Sequence, residues 1–181
     1  MRYVQYGNSG LQVSKLCWGA MNFYQNVDEQ TAIASVHKAL DQGINFFDTA
    51  DGYGRGRGEE VLGKALHGRR DGVVLATKCW VPMYDWPGGR GCSRFHMMRA
   101  VEDSLRRLGT DYIDLYQLHH PDADTPVEET LSTLDTLVRQ GKIRYIGVAN
   151  HYAWQVAHYL GVSALHNWEP MISLQVCYSL L

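Results

Sequence analysis

The sequence predicts an α/β fold built on a parallel sheet, and three observations predict it. Amphipathic helices and apolar strands alternate along the 181 residues at a repeat of roughly 30 residues, the size of a βαβ unit. The strands "INFFD", "VVLA", "YIDLYQL" and "RYIGVA" are near-continuous apolar runs, as expected where helices cover a parallel sheet. Each of these strands also finishes at a polar residue, in turn Asp48, Lys78, His119 and Asn150.

The elements follow in order. "RYVQYGNSGLQVS" alternates around Asn8-Ser9-Gly10 and reads as a β-hairpin outside the repeat, closing one end of the fold. "KLCWG" is the first strand. Asp28 caps a helix with the face Ile33, Val36 and Leu40, Gly43 ends it, and "INFFD" follows. A short helix entered at Glu59 carries Val61, Leu62, Ala65 and Leu66, and Gly68 leads to "VVLA". Ser93 caps a helix with Met98, Val101, Leu105 and Leu108, and Gly109 leads to "YIDLYQL". Thr125, Pro126 and Glu128 spell a capping box with proline at the first helical position. Leu131, Leu134 and Leu137 give that helix its apolar face, and "RYIGVA" comes after Gly141. A fifth helix carries Val156 and Leu160, is expected to end near Gly161, and leads to the sixth strand, "MISLQV". No linker divides the chain, so residues 1–181 read as a single domain.

Two architectures share this rhythm, the open doubly wound sheet and the TIM-type (β/α)₈ barrel. The doubly wound sheet calls for G-x-G-x-x-G in its first turn, and "GAMNFYQNVDEQ" lacks it. Glycines at 52, 54, 56 and 58 do not supply it either, because Arg57 and Glu59 break the pattern and no GK[ST] follows. These glycines read as a hinge that folds the chain over a barrel rim, with Arg55 and Arg57 solvated.

Composition bounds the function. Hydrophobic residues make up 45 %, charged residues 20 %, and the net charge is −2, which offers no nucleic-acid or membrane surface. Apolar runs are of strand length, and "MRYVQYGNSG" has no signal-peptide core, so a cytoplasmic protein is expected. Cys17, Cys79, Cys92 and Cys177 form no C-x-x-C pair and read as buried thiols, although Cys79 and Cys92 flank one loop within which they could pair. No metal is expected. A barrel hydrolase using His119, His120, Asp122 and Asp124 is disfavoured, since neighbours on a strand point to opposite faces.

The strand tips carry the chemistry. In a parallel barrel they converge on one rim, where such enzymes place their active sites. Tyr53 lies five residues past Asp48 in the glycine-rich loop, within reach of that rim. A neighbouring Lys78 ammonium would stabilise the phenolate and ease proton donation near neutral pH. Asp48 would hold Lys78, and His119 would orient a carbonyl oxygen.

With "GINFFDTADGYGRGRGEEVLGKAL", "VVLATK", "SLRRLGTDYIDLYQLHHPD", "GKIRYIGVAN" and "SLQVCYSLL" in place, the chain resembles the aldo-keto reductase superfamily from about Arg2 onward. The resemblance implies a TIM barrel that binds NADPH without a Rossmann domain. It implies a tetrad of Asp48, Tyr53, Lys78 and His119, with hydride passing from nicotinamide to a small aldehyde or ketone and Tyr53 as the acid. Asn150 and Gln175 are implied to hold the nicotinamide carboxamide, and Gly19, Ala20, Met21 and Asp48 to border the cofactor. Substrate would meet Tyr53, His119 and Trp80. Ala149 stands where the family often has Ser, at the cost of one hydroxyl contact. Tyr84 and Trp86 read equally as lid or as loop packing. A complete barrel has eight strands and about 250 residues. The expectation here is an incomplete barrel of six strands with its C-terminal part absent. Its open edge would be covered by a partner or by self-association. The alternative function is a non-catalytic relative acting as a nucleotide-sensing or interaction subunit.

Overall fold

The computed structural model describes residues 1–23 and 27–178. Its elements are β1 (Tyr3–Gln5), β2 (Gln12–Ser14), β3 (Cys17–Gly19), α1 (Glu29–Asp41), β4 (Phe46–Asp48), α2 (Arg57–Leu66) and β5 (Val74–Cys79). They continue as α3 (Arg94–Leu108), β6 (Ile113–Leu118), α4 (Val127–Arg139), β7 (Ile143–Ala149), α5 (Ala153–His166) and β8 (Met171–Gln175). Strands β3 to β8 form one parallel sheet in strictly sequential order. A doubly wound sheet reverses its strand order at a switch point. The sequential order is that of barrel winding, and the sheet curls into a half-barrel of six strands.

Strand alternation sorts the core into two layers. Phe47, Leu75, Cys79, Tyr116, Leu118, Ile146 and Val148 pack outward against the apolar helix faces. Phe46, Val74, Ala76 and Leu115 point inward and meet Val13 of the hairpin, with Val4, Tyr6 and Leu11 beside them. Hairpin β1–β2 is therefore the floor of the half-barrel, as its position in the sequence predicts. Asn45 ties it on, its Oδ1 accepting from the Ser14 N–H at 2.6 Å.

Caps follow the sequence at α1 and α3, where the Asp28 and Ser93 side chains accept from the N–H groups of Thr31 and His96. Two expectations are corrected. Pro126 is the extended residue before α4, and that helix has no side-chain cap. The Thr125 hydroxyl donates to Asp122 at 2.8 Å instead, so the loop takes the group a capping box would have used. Helix α5 runs past Gly161 to Asn167, whose left-handed backbone (φ 54°) stops it. Its buried residues are Tyr159 and Ser163, while Leu160 is exposed.

Arg57 is not simply solvated. Its guanidinium pairs with Glu29 at 2.6 Å and Glu60 at 3.0 Å, stitching α2 to α1. Arg55 reaches only to 3.9 Å from Asp85. All four cysteines are free thiols: Cys79 and Cys92 are buried as expected, but Cys17 and Cys177 are exposed. Among the described residues, no helix is long and apolar enough to cross a membrane.

Candidate active site

Asp48 ends β4 and points inward, two positions on from Phe46. Lys78 holds the same parity on β5, two on from Ala76. The two side chains meet inside the barrel, with Lys78 Nζ 2.5 Å from Asp48 Oδ2 and 1 % of the lysine exposed. The ammonium also donates to the Thr49 carbonyl at 2.8 Å and lies 3.5 Å from the Tyr53 hydroxyl. That last contact is long, but such contacts tighten when substrate binds. Tyr53 is half-buried, and its loop packs closely on the next: a Cβ on Gly52 would stand 2.5 Å from Val81.

His119 follows β6, held by its N–H to the Cys79 carbonyl at 3.0 Å, and its ring meets the edge of Tyr53 at 5.7 Å between centroids. Burial, then the Lys78 charge and His120, push its imidazole down to about 4. It is therefore neutral near pH 7, able to offer one ring N–H and to accept at the other nitrogen. Asp48, Tyr53, Lys78 and His119 thus lie together at one rim.

The remaining predicted residues divide. Asn150 takes a left-handed backbone (φ 59°), donates from Nδ2 to the His119 carbonyl at 2.9 Å, and gives its N–H to the Gln175 carbonyl at 2.9 Å. Asn150 and Gln175 are exposed at neighbouring strand tips. Gly19 and Met21 are exposed as well, whereas Ala20 is buried. Its methyl sits in the core, its N–H bonds the Asp48 carbonyl, and its own carbonyl accepts from Phe23. Trp80 lines a cleft of about 500 Å³ together with Arg90, Asp122 and Asp124. Tyr84 and Trp86 stack on each other beneath Arg99, and the Tyr84 hydroxyl bonds Asp103, so both dock on α3 rather than over the rim.

Sequence reasoning missed two residues. Gln117 on β6 is buried and donates to the second oxygen of Asp48 at 3.1 Å. Its signal was parity, since it stands two before His119 in an apolar strand. Glu59 is fully buried behind the site, accepting from Thr77 at 2.6 Å and from Arg107 at 2.6 Å. The rings of His119 and His120 stack at 5.0 Å, against the expectation of opposite faces, because the strand ends at Leu118. Asp122, however, spends its oxygens on Cys92, Asp124 and Thr125. Among the described residues, no three His, Cys, Asp or Glu groups gather as a metal set.

Residues 15–181 match the model of the Aldo/keto reductase family. The chain belongs to the aldo/keto reductase family. It is 43 % identical to the uncharacterized oxidoreductase YrpG of Bacillus subtilis (strain 168), over all of this chain and 59 % of that protein. It is 36 % identical to the versiconal hemiacetal acetate reductase of Aspergillus parasiticus, over all of this chain and 60 % of that one. A probable voltage-gated potassium channel subunit beta of Oryza sativa subsp. japonica is 38 % identical over 86 % of this chain and 48 % of its own length. The chain thus spans about half to three fifths of these relatives.

One consequence of the buried imidazoles is acid sensitivity. Burial lowers the pKa of His96 and His151 as it does that of His119, and both His96 nitrogens lack a partner among the described residues. The unfolded chain protonates these rings near pH 6.5, whereas the folded chain resists. Stability therefore falls as pH drops below about 6.5 towards 4. Asp51, whose carboxyl is pushed well up by burial and by Glu59, works the other way, one group against three. Melting followed by circular dichroism should show Tm falling from pH 7 to pH 5. A flat profile would count against buried neutral imidazoles.

Proposed function

We propose that the protein is a cytoplasmic oxidoreductase that reduces a small aldehyde or ketone to an alcohol with NADPH. The observation that carries this reading is the Asp48–Lys78–Tyr53 contact chain, buried at its base and open at the phenol, with neutral His119 at its side. Four free thiols fit a reducing compartment. The carboxamides of Asn150 and Gln175, exposed at adjacent tips, fit the donor and acceptor pattern of a nicotinamide carboxamide. They would hold it there, with Gly19 and Met21 alongside. When bound, the cofactor supplies the hydride.

The protein's own residues do the rest. Asp48 and the Thr49 carbonyl fix the Lys78 ammonium next to Tyr53. Tyr53 gives its proton to the carbonyl oxygen as negative charge grows there, and the ammonium stabilises the phenolate left behind. His119 aims the oxygen by donating a ring N–H. Trp80 walls the substrate side.

The name of the rice relative favours a second reading, a binding or assembly subunit, but a chain with that role has no need of the complete acid constellation. NADPH fluorescence on titration with protein and aldehyde-dependent NADPH oxidation separate the two. Binding without turnover supports the subunit, and absence of both removes the reductase reading for this chain.

A further inference from the structure

We propose that His120 is a positioning residue, which holds the imidazole plane of His119 between Tyr53 and the Trp80 wall. The proposal rests on the reading of this rim as a carbonyl-reducing site. An imidazole that must aim one nitrogen at a reacting atom is ordinarily fixed through a hydrogen bond on the other. The Nδ1 of His119 is buried and has no partner among the described residues. Its ring is instead held by rings. Tyr53 meets it edge-on at 5.7 Å and 79°, and His120 lies nearly parallel to it at 5.0 Å and 19°.

His120 is itself braced from the far side. Trp80 leans on it at 5.0 Å and 58°, and the Arg90 guanidinium lies 5.7 Å over the Trp80 ring. The base of that loop is closed by the Gly91 N–H on the Trp80 carbonyl at 2.8 Å and by the Cys92 N–H on Asp122 at 2.7 Å. A column of four rings thus runs from Tyr53 through His119 and His120 to Trp80, with its outer end anchored. Offset and tilted ring pairs at such distances prefer defined orientations. The charged and titratable groups facing His119 are Lys78 of β5, Tyr53 of the loop after β4, and His120 itself.

Two variants of the full chain test this, His120→Phe, which keeps a flat ring, and His120→Leu, which keeps bulk without a plane. Proton NMR cross-peaks between the His119 and Tyr53 rings should survive in His120→Phe and be lost or redistributed in His120→Leu. In parallel, kcat/KM for an aldehyde should fall about 10- to 100-fold in the Leu variant at unchanged NADPH affinity, and recover in the Phe variant. Unaltered ring cross-peaks in His120→Leu, or a Phe variant as impaired as the Leu one, would overturn the proposal. If the unsubstituted protein reduces no aldehyde, the functional reading fails, while the NMR comparison still decides the role of His120.

Discussion

Tyr53→Phe should abolish the proposed carbonyl reduction while leaving the proposed cofactor binding intact. The substitution removes one hydroxyl from a half-buried ring and leaves the ring in contact with His119. Lys78 keeps its bonds to Asp48 and to the Thr49 carbonyl, so the buried ion pair is undisturbed. What disappears is the one proton donor in the chain of contacts that faces outward. General acid catalysis contributes about 10²–10⁴-fold, and kcat for an aldehyde should drop by that amount. NADPH affinity, read by fluorescence titration, should stay within about twofold, since a twofold change is well under 1 kcal/mol. Turnover equal to that of the parent protein would remove Tyr53 as the acid and, with it, the main support for the proposed reaction.

Arg107→Met should be among the most destabilising single changes in the molecule. Arg107 is the cation for Glu59, which is 0 % exposed. Asp51, also buried, has no partner for either oxygen among the described residues, and burial, then the neighbouring Glu59, pushes its carboxyl well above the usual carboxylate range. Methionine matches the arginine stem but leaves the buried Glu59 carboxyl without its cation behind the site. Breaking a buried pair from one side costs about 3–5 kcal/mol. Urea unfolding should show a loss of that size, and Glu59→Leu combined with Arg107→Met should recover most of it. A loss under about 1 kcal/mol in the single variant would show a pair worth no more than a solvated one.

These two sites differ in how far the sequence reveals them. Asp48, Lys78 and His119 are legible because each ends an apolar strand, and parity along a strand fixes the side it faces. Glu59 and Arg107 are not, because they sit on different helices and only packing brings them together. The end of α5 was misread because glycine stops a helix only where a left-handed turn is required. Gly161 has open space around it and simply continues the helix, and Asn167 makes the turn. Thr125 was misread because a carboxylate at Asp122 competed for its hydroxyl. Each miss is a tertiary contact overriding a sound local signal.

The pairing of Asp48 with Lys78 also settles how the strands align. Asp48 stands opposite Ala76, and Lys78 opposite Gln117, so three neighbouring strands are joined through groups that all face inward. Sliding β5 by one residue would turn Lys78 towards the apolar helices and leave Asp48 with no cation. Misaligned sheets are thus penalised by a stranded charge, whereas apolar strands alone would tolerate the slip far better. The residues proposed to move a proton also proofread the assembly of the sheet that carries them.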